Sequence, residues 1–384
     1  MSGQNSILDK IIESQEKQQA ASFNPNELVS ELLKSISSKE ADILSRRFGL
    51  SGKQKETLEQ IGKHYDITRE RIRQIETATV KKLKDLKEAK KHIDLAEQHI
   101  THLLEYYGGV MEEKFLLNKV NENISDSTHT ESAHFILTKL LNEKIESIKS
   151  DDQVLPGWKL PSVSLDTIRE AINELVDIVN IENKLISGDL LIDSFRKRAF
   201  YQQHKDRIAV LKLGIEDTEL EAEAEKIIDS YLRISKHLDQ NILGEWGLTK
   251  WTSIKPKRMS DKVYLVLRKA GKPLHFTEIT SLINQESFDR KIAYPATIHN
   301  ELILDDRYVL VGRGIYALKE WGYKSGTVLD TIVDILGKAG QPITKEQIVD
   351  EVLKQRMVRK STIFLALTNK SKITKTSDGR YALA

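Results

Sequence analysis

The chain has 384 residues, 39% of them hydrophobic, 30% charged and only 6% aromatic, with 19 glycines, 7 prolines and no cysteine. That excludes disulfides, thiol nucleophiles and Cys-ligated zinc, collagen-like or low-complexity architecture, and any membrane helix, because no stretch approaches the roughly 18 apolar residues one needs. The net charge of +2 conceals a division: residues 46–91 hold 14 Lys/Arg against 7 Asp/Glu, residues 250–384 hold 24 against 14, and the remainder holds 21 against 36.

Two basic blocks separated by acidic sequence would attract and repel phosphate backbones respectively, although uneven solvated surface gives the same count. The length suggests about two or three domains. The N-terminus lacks the basic and apolar regions of a secretory signal, so an intracellular, cytoplasmic chain is expected.

Residues 1–24 are polar and read as a flexible arm, in which Ile7, Leu8, Ile11 and Ile12 can form a short amphipathic turn. Asn24-Pro25 reads as a helix cap followed by a first helical position, and Leu28, Leu32, Leu33 and Ile36 keep helical spacing. A second helix starts near Ser38 and ends at Gly49, and a third, short one covers Thr57 to Gly62. From Arg69 the pattern becomes one long helix ending at Gly108-Gly109. Ile72, Thr79, Leu86, Ile93 and Ile100 recur at seven-residue intervals, as do Ile75, Lys82, Ala89, Ala96 and Leu103. The two series interleave as a heptad seam, weakened at Thr79 and Lys82, where Leu83 can substitute. A helix docked along its own chain is the simpler reading, and an intermolecular coiled coil the other.

Further on, a repeat emerges. Lys269-Ala270-Gly271-Lys272-Pro273 recurs as Lys338-Ala339-Gly340-Gln341-Pro342, Thr297-Ile298 as Thr362-Ile363, and Tyr316-Ala317-Leu318 as Tyr381-Ala382-Leu383. The offset falls from 69 to 65, which places four extra residues of the first copy near 284–294. Three helices followed by two β-rich segments around a turn is the winged-helix pattern, with wing strands at Tyr308 to Val311 and Ile315 to Leu318 and the tip at Gly312-Arg313-Gly314. The acidic middle carries weaker versions: Val110 to Leu117, His134 to Leu137 and Leu155 to Leu160 form one candidate, and Ile168 to Val179 with Leu190-Leu191 begins another.

The predicted class is therefore mainly α: a helix-turn-helix domain, a long connecting helix and tandem winged-helix units with short β wings. The expected divisions are an arm (1–24), the helix-turn-helix domain (25–91), the connector's continuation (92–107), a winged helix (108–162), a helical or degenerate winged-helix stretch (163–249), and winged helices over 250–323 and 324–384.

The segment Glu40 to Leu83 carries the chemistry. A helix-turn-helix needs a first helix with a small residue near the turn, a tight turn, and a second helix whose N-terminal side chains reach base edges. Thr57 to Lys63 supplies the first, Gly62 to Ile67 the turn, and Thr68 the second helix's cap, with Ile67, Ile72 and Ile75 facing inward. Arg69, Glu70, Arg73 and Gln74 then fall on one exposed face. Their chemistry suits the major groove: Arg to guanine, Glu to cytosine N4 and Gln to adenine, each good pair giving about 1–3 kcal/mol of discrimination. Thr68, Arg71, Lys81, Lys82 and Lys84, with Arg313 at the distant wing tip, suit phosphates, which set register without reading sequence. The alternative is a charged face held by local links such as Glu70 to Arg73 or Gln74.

Arg47-Phe48-Gly49-Leu50, Thr57-Leu58-Glu59-Gln60-Ile61-Gly62 and Thr68 to Glu76 stand at the spacing of RFGL, TLEEIG and TRERIRQIE, and in this the segment resembles region 4 of sigma-70 family transcription factors. The resemblance covers about 65 residues. It implies double-stranded promoter DNA as ligand, with Arg69, Glu70, Arg73 and Gln74 at base-reading positions of a −35 element, and the β flap of RNA polymerase core as partner. Ala78 stands where the family often has Lys, which puts one backbone or activator contact in doubt. Nothing resembles sigma regions 2 and 3, the promoter-melting part. Residues 260–323, with Gly271-Lys272-Pro273-Leu274-His275-Phe276-Thr277-Glu278-Ile279, Leu304 to Val309 and Tyr316 to Trp321, resemble the HARE-HTH family, which includes the N-terminal domain of the RNA polymerase delta subunit. That implies DNA or polymerase association, with Lys255, Lys257, Arg258, Arg290, Lys291 and Arg313 as phosphate candidates.

No enzyme motif appears. His92, His99 and His102 share a helical face but lack any HExxH or Cys context, so solvent-facing histidines and no metal or cofactor are expected. Gly312-Arg313-Gly314 lacks the third glycine and helix of a dinucleotide loop. Trp246, Trp251 and Trp321 read as core or junction plugs. The expectation is a cytoplasmic, nucleoid-associated, DNA-binding transcription factor, monomeric and membrane-free. A delta-like polymerase accessory subunit and a dimeric scaffold are the alternatives.

Overall fold

The computed structural model describes residues 23–121, 130–209 and 217–384, with backbone alone for 205–209 and 217–223. The expected N-terminal arm, with Ile7, Leu8, Ile11 and Ile12, lies outside the described residues up to position 22. The chain divides into two compact units, Met1–Asp239 and Gln240–Ala384. It is mainly helical with short antiparallel sheets, consistent with a helix-turn-helix domain followed by winged-helix units.

In the first unit, α1 (Pro25–Lys34) starts where Asn24 accepts bonds from the backbone N–H of Asn26 and Glu27. Helix α2 (Ser38–Phe48) opens with a reciprocal Ser37/Glu40 cap and closes at Gly49, whose φ of 73° only glycine adopts cheaply. Two more helices follow, α3 (Leu58–Tyr65) and α4 (Arg69–Asp85).

The single long helix expected from Arg69 is two helices. Leu86 is extended (φ −72°, ψ 125°), and α5 (Lys87–Tyr106) begins directly after it. No proline or glycine marks the break. Burial sets it: the bend turns Ala89, Ile93, Ala96, Ile100 and Leu104 into one core with Leu28, Val29 and Leu32 of α1. A straight helix drifts about 20° per heptad away from a seven-residue seam, and the break resets that drift. Leu83 takes the inward place while Lys82 stays exposed, so the seam is used inside the chain.

The next elements are β1 (Val110–Glu112), α6 (Glu113–Val120), α7 (Thr130–Phe135) with a π turn over Ile136–Leu140, β2 (Glu146–Ile148) and β3 (Gly157–Lys159). The sheet order is β1-β3-β2, antiparallel, with Met111 and Ser147 both opposite Trp158. Helices α8 (Leu165–Glu182), α9 (Gly188–Arg196), α10 (Ala199–Ala209) and α11 (Asp217–Ile234) follow, with a short strand at Ile186–Ser187 between α8 and α9 and another at Leu238–Gln240 after α11. Ser230 on α11 donates its hydroxyl to the Val110 carbonyl.

The second unit contains the repeat as two copies of nearly the same element order, the second having a single bridge at Ile343 where the first has a strand. The first copy runs α12 (Met259–Ala270), β4 (Leu274–His275), α13 (Phe276–Glu286), α14 (Pro295–Leu304), β5 (Tyr308–Gly312) and β6 (Ile315–Leu318). The second runs α15 (Val328–Ala339), α16 (Lys345–Gln355), α17 (Lys360–Ala366), β7 (Ile373–Lys375) and β8 (Tyr381–Leu383). Leu274 pairs with Tyr316 in the first copy and Ile343 bridges Tyr381 in the second, matching the offsets of 69 and 65. The four extra residues lie between α13 and α14.

Arg356 joins the copies. It is 5% exposed, and its guanidinium donates to the Thr331 hydroxyl at 2.7 Å and to the carbonyls of Leu310, Lys324 and Gly326. The Met357 N–H donates to the Val311 carbonyl at 2.9 Å. Among the described residues no helix is long and apolar enough to cross a membrane.

Candidate nucleic-acid interface

Helices α2, α3 and α4 close on a small core of Ile43, Ile61 and Ile72, with Leu58, Tyr65, Ile67 and Ile75 packed against it. Thr57 and Gln60 cap α3 reciprocally. Asp66 takes a left-handed conformation (φ 53°) to end α3, and the Ile67 N–H donates to the Gly62 carbonyl at 3.0 Å. Gly62 is required by proximity: a Cβ there would stand 2.7 Å from the Ile67 carbonyl oxygen. Thr68 then accepts from the Arg71 N–H at 3.2 Å and starts α4. Helix α3 thus extends to Tyr65, and the turn is only Asp66-Ile67, shorter than the Gly62–Ile67 span expected.

Asp42 braces this arrangement from α2. Its carboxylate accepts from Arg46 Nε at 2.8 Å, from Lys53 Nζ and from the Tyr65 hydroxyl. Burial works against the ionised form, but the hydrogen bonds from Lys53, Tyr65 and Arg46 outweigh it and hold the carboxyl well below the usual range. The Tyr65 hydroxyl is pushed up to about 12, by burial first and the Asp42 bond second.

The structure brings Arg69, Glu70, Arg73 and Gln74 together on the exposed first turns of α4. Arg69 makes no side-chain hydrogen bond or ion pair among the described residues. Arg73 grips Glu70 through two parallel bonds, Nε to Oε2 at 2.9 Å and Nη2 to Oε1 at 2.7 Å, and Arg71 donates to Gln74 Oε1 at 3.1 Å. The hydrogen bond from Arg73 lowers the Glu70 pKa and raises that of Arg73. Glu70 and Arg73 are thus paired with each other in the free chain, each side chain 59% exposed.

The expected phosphate contacts separate into groups. Thr68, Arg71 and Lys81 are exposed on or beside the same helix. Lys82 is exposed but paired with Glu40 at 3.0 Å. Lys84 is half-buried and turned toward Asn142 and Glu143, 2.8 Å from each. Arg313 is exposed at the β5–β6 turn of the second unit. Among the histidines, His99 departs from the solvent-facing expectation. Its ring packs on Phe23 (centroids 4.7 Å apart), and burial, with His102 nearby, pushes its pKa down to about 4. No group of three His, Asp or Glu among the described residues is placed to hold a metal ion.

Glu76 was not singled out by sequence reasoning. It is 8% exposed, and its carboxylate bridges Arg47 Nε (3.3 Å) and Lys139 Nζ (3.0 Å). Phe48 meets Phe135 at 5.0 Å between ring centroids, and Lys139 lies over the Phe48 ring. The back of α4 is thereby fastened to the α7 segment while its front stays open. The spacing of Ile72, Glu76, Thr79 and Leu83 on one face is the sequence signal that identifies it.

Comparison with known proteins bears on this geometry. Residues 32–85 match the family model Sigma-70, region 4. A stretch of 59 residues, 15% of this chain, is 44% identical to RNA polymerase sigma factor RpoD of Neisseria gonorrhoeae, and it corresponds to 9% of that protein. The chain therefore spans less than a tenth of the length of this relative. Residues 32–85 contain all of α2 and α3 and α4 to its last residue, so the helix-turn-helix is the part of the chain similar to sigma-70 region 4, and its second helix carries Arg69, Glu70, Arg73 and Gln74 on its open side.

Proposed function

We propose that the chain is a bacterial transcription factor whose region 4-like domain reads a −35-type promoter element through the major groove and which associates with RNA polymerase core at the β flap. The observation that carries this reading is the exposed set Arg69, Glu70, Arg73 and Gln74 on the first turns of α4, in a domain matching a sigma family model. Arg69 reads without breaking any existing bond. The Glu70–Arg73 pair either opens onto bases or presents both ends together, and because exposed ion pairs are weak, bidentate base contacts win that exchange. Thr68, Arg71 and Lys81 contact phosphates at the same groove, and Lys82 joins them on release from Glu40. In this reading residues 250–323 are a HARE-type winged helix, with 324–384 and 108–162 as further winged units. The shared element order and the strand order β1-β3-β2 and β4-β6-β5 support it.

A delta-like accessory subunit that contacts DNA without reading it is the second reading, favoured by the resemblance over residues 260–323. Anisotropy titrations of the full chain on a promoter-like duplex and its scrambled counterpart, at salt concentrations from about 50 to about 200 mM, separate the two. Promoter reading requires a preference that persists while both affinities fall, since the phosphate component is salt-dependent and the base component is not. Equal affinities at every salt concentration would overturn it.

A further inference from the structure

In the first copy of the second unit, α14 turns an uncharged face to solvent. From Ile292 to Asn300 there is no Asp, Glu, Lys or Arg, in a chain that is 30% charged. Ile298 and Leu302 bury the inner side of the helix. That leaves Ala296, Thr297, Asn300, Ile303 and Leu304 on the other side at helical spacing, all exposed. Ile303 and Leu304 are 60% and 82% exposed, and Ile292 and Tyr294, just ahead of the helix, are 65% and 62% exposed. These four side chains present on the order of 500 Å2, which with the short polar residues between them approaches the roughly 800 Å2 per partner of a standard interface. Half-buried Glu301 is the one charged residue of α14.

Charge of opposite sign stands at the two ends of this face. Arg290 and Lys291 are exposed before it, and Asp305 and exposed Asp306 follow it. Asp305 is held by Arg307 at 2.7 Å, whereas the side chains of Arg290, Lys291 and Asp306 make no ion pair among the described residues. Bases ahead of the first turn and acids after the last is the sense that a helix macrodipole disfavours within one chain. The basic end is held in place by a buried charge. Lys262, 1% exposed, donates from Nζ to Asp289 at 2.7 Å, and the same carboxylate accepts from the Lys291 N–H at 2.9 Å. Asn284 brackets Ala293, accepting from its N–H at 2.8 Å and donating to its carbonyl at 3.0 Å. The four residues by which this copy exceeds the other lie in this loop. A buried lysine is costly unless paired, and here the pair fixes the segment that carries Arg290, Lys291 and Ile292.

We infer that this face docks a second copy of the chain, with α14 lying antiparallel against its counterpart about a two-fold axis. In that arrangement the apolar middle of each helix meets the other. Arg290 and Lys291 of each copy come opposite Asp306 of the other, and both end contacts form twice. A parallel pair would oppose like charges at both ends. The apolar middle supplies the affinity, and the rim charges fix the orientation. Arg290 and Lys291, which the sequence suggested as phosphate contacts, become the basic end of a protein interface, and a dimer replaces the expected monomer. The corresponding face of the second copy does not suit the same use. Met357 and Leu365 are exposed there too, but among exposed Arg359, Lys360 and Lys370, so two such faces repel. The inference does not rest on base reading by α4. A dimer carries two region 4-like domains, and on paired targets each raises the effective concentration of the other.

Sedimentation velocity of the full chain from about 1 to about 100 µM should show a monomer–dimer equilibrium. Ile303→Asp with Leu304→Asp, at two exposed positions outside the core, should weaken it by about 100-fold or more. Charge exchange tests the orientation separately. An Arg290→Glu/Lys291→Glu chain is acidic at both ends of the face, and an Asp306→Lys chain is basic at both. Each alone should dimerise at least about 10-fold less well than the wild type, and an equimolar mixture should form a heterodimer about as tight as the wild-type dimer. Association recovered on mixing cannot come from misfolded chains. A wild-type chain that stays monomeric across that range, a dimer unaffected by the Ile303 and Leu304 substitutions, or a mixture no tighter than its components would each overturn the inference.

Discussion

Replacing Gly62 with Ala sets two effects of known sign against each other. Gly62 lies inside α3, where Ala is favoured by about 1 kcal/mol on helix propensity alone. The added Cβ would stand 2.7 Å from the Ile67 carbonyl oxygen, 3.5 Å from the Arg69 nitrogen and 3.6 Å from the Thr68 carbonyl carbon. The first of these is backbone and cannot rotate away. It is also tied in place, because the Ile67 N–H bonds to the Gly62 carbonyl and Thr68 caps α4 one residue later. Relief requires the turn to open by about half an ångström, and forced overpacking of this kind costs about 1–3 kcal/mol. The net expectation is a loss of up to about 2 kcal/mol, read as faster hydrogen exchange of α3 and α4 amides in the full chain. The opening also moves the first turns of α4 relative to α3, so sequence preference in DNA binding should fall further than stability does. A Gly62→Ala chain with slower exchange and undiminished preference would show that the turn does not position α4.

Other expectations follow from buried polar groups. Thr79 has a buried hydroxyl with no partner among the described residues; Thr79→Val should stabilise the first unit by about 1 kcal/mol, and a lower melting temperature would contradict this. Arg356→Met removes the guanidinium bonds to Thr331 and three carbonyls and should cost the second unit about 2–4 kcal/mol, checked by urea unfolding; no change in midpoint would show that these bonds stabilise nothing. His99 is held neutral down to about pH 4 in the folded chain, while its unfolded value is near 6.5. Between these values the unfolded chain binds the extra proton, so stability is highest above pH 6.5 and falls by up to about 3 kcal/mol as pH drops to 4. A His99→Phe chain should lack that step, and a step of equal size in both chains would exclude His99 as its source.

What the sequence revealed and what it concealed follow the range of the interactions. Asn24-Pro25, Gly49, Thr57 and Thr68 were legible as helix boundaries because each acts within three or four residues of itself. The repeat was legible because the offsets of 69 and 65 preserve a strand pairing, Leu274 with Tyr316 and Ile343 with Tyr381. The exposed face of α4 followed from helical periodicity. The break at Leu86 was not visible, since no local residue demands it and only the burial of Ile93 and Ile100 against α1 selects it. Glu76 and Lys139 are 63 residues apart, and Lys84 and Glu143 are 59 apart. Their pairing exists only once α7 has packed on Phe48. His99 looked solvent-facing because Phe23, which covers it, lies on a distant part of the chain.

Whether α4 reads base sequence is tested most directly by selecting genomic DNA fragments with the purified full chain, in parallel with an Arg69→Ala/Arg73→Ala variant. A recurrent motif is expected with the wild-type chain and should disappear with the variant, while total DNA bound at low salt is largely retained. No motif from the wild-type chain, or the same motif recovered by the variant, would contradict base reading by this helix.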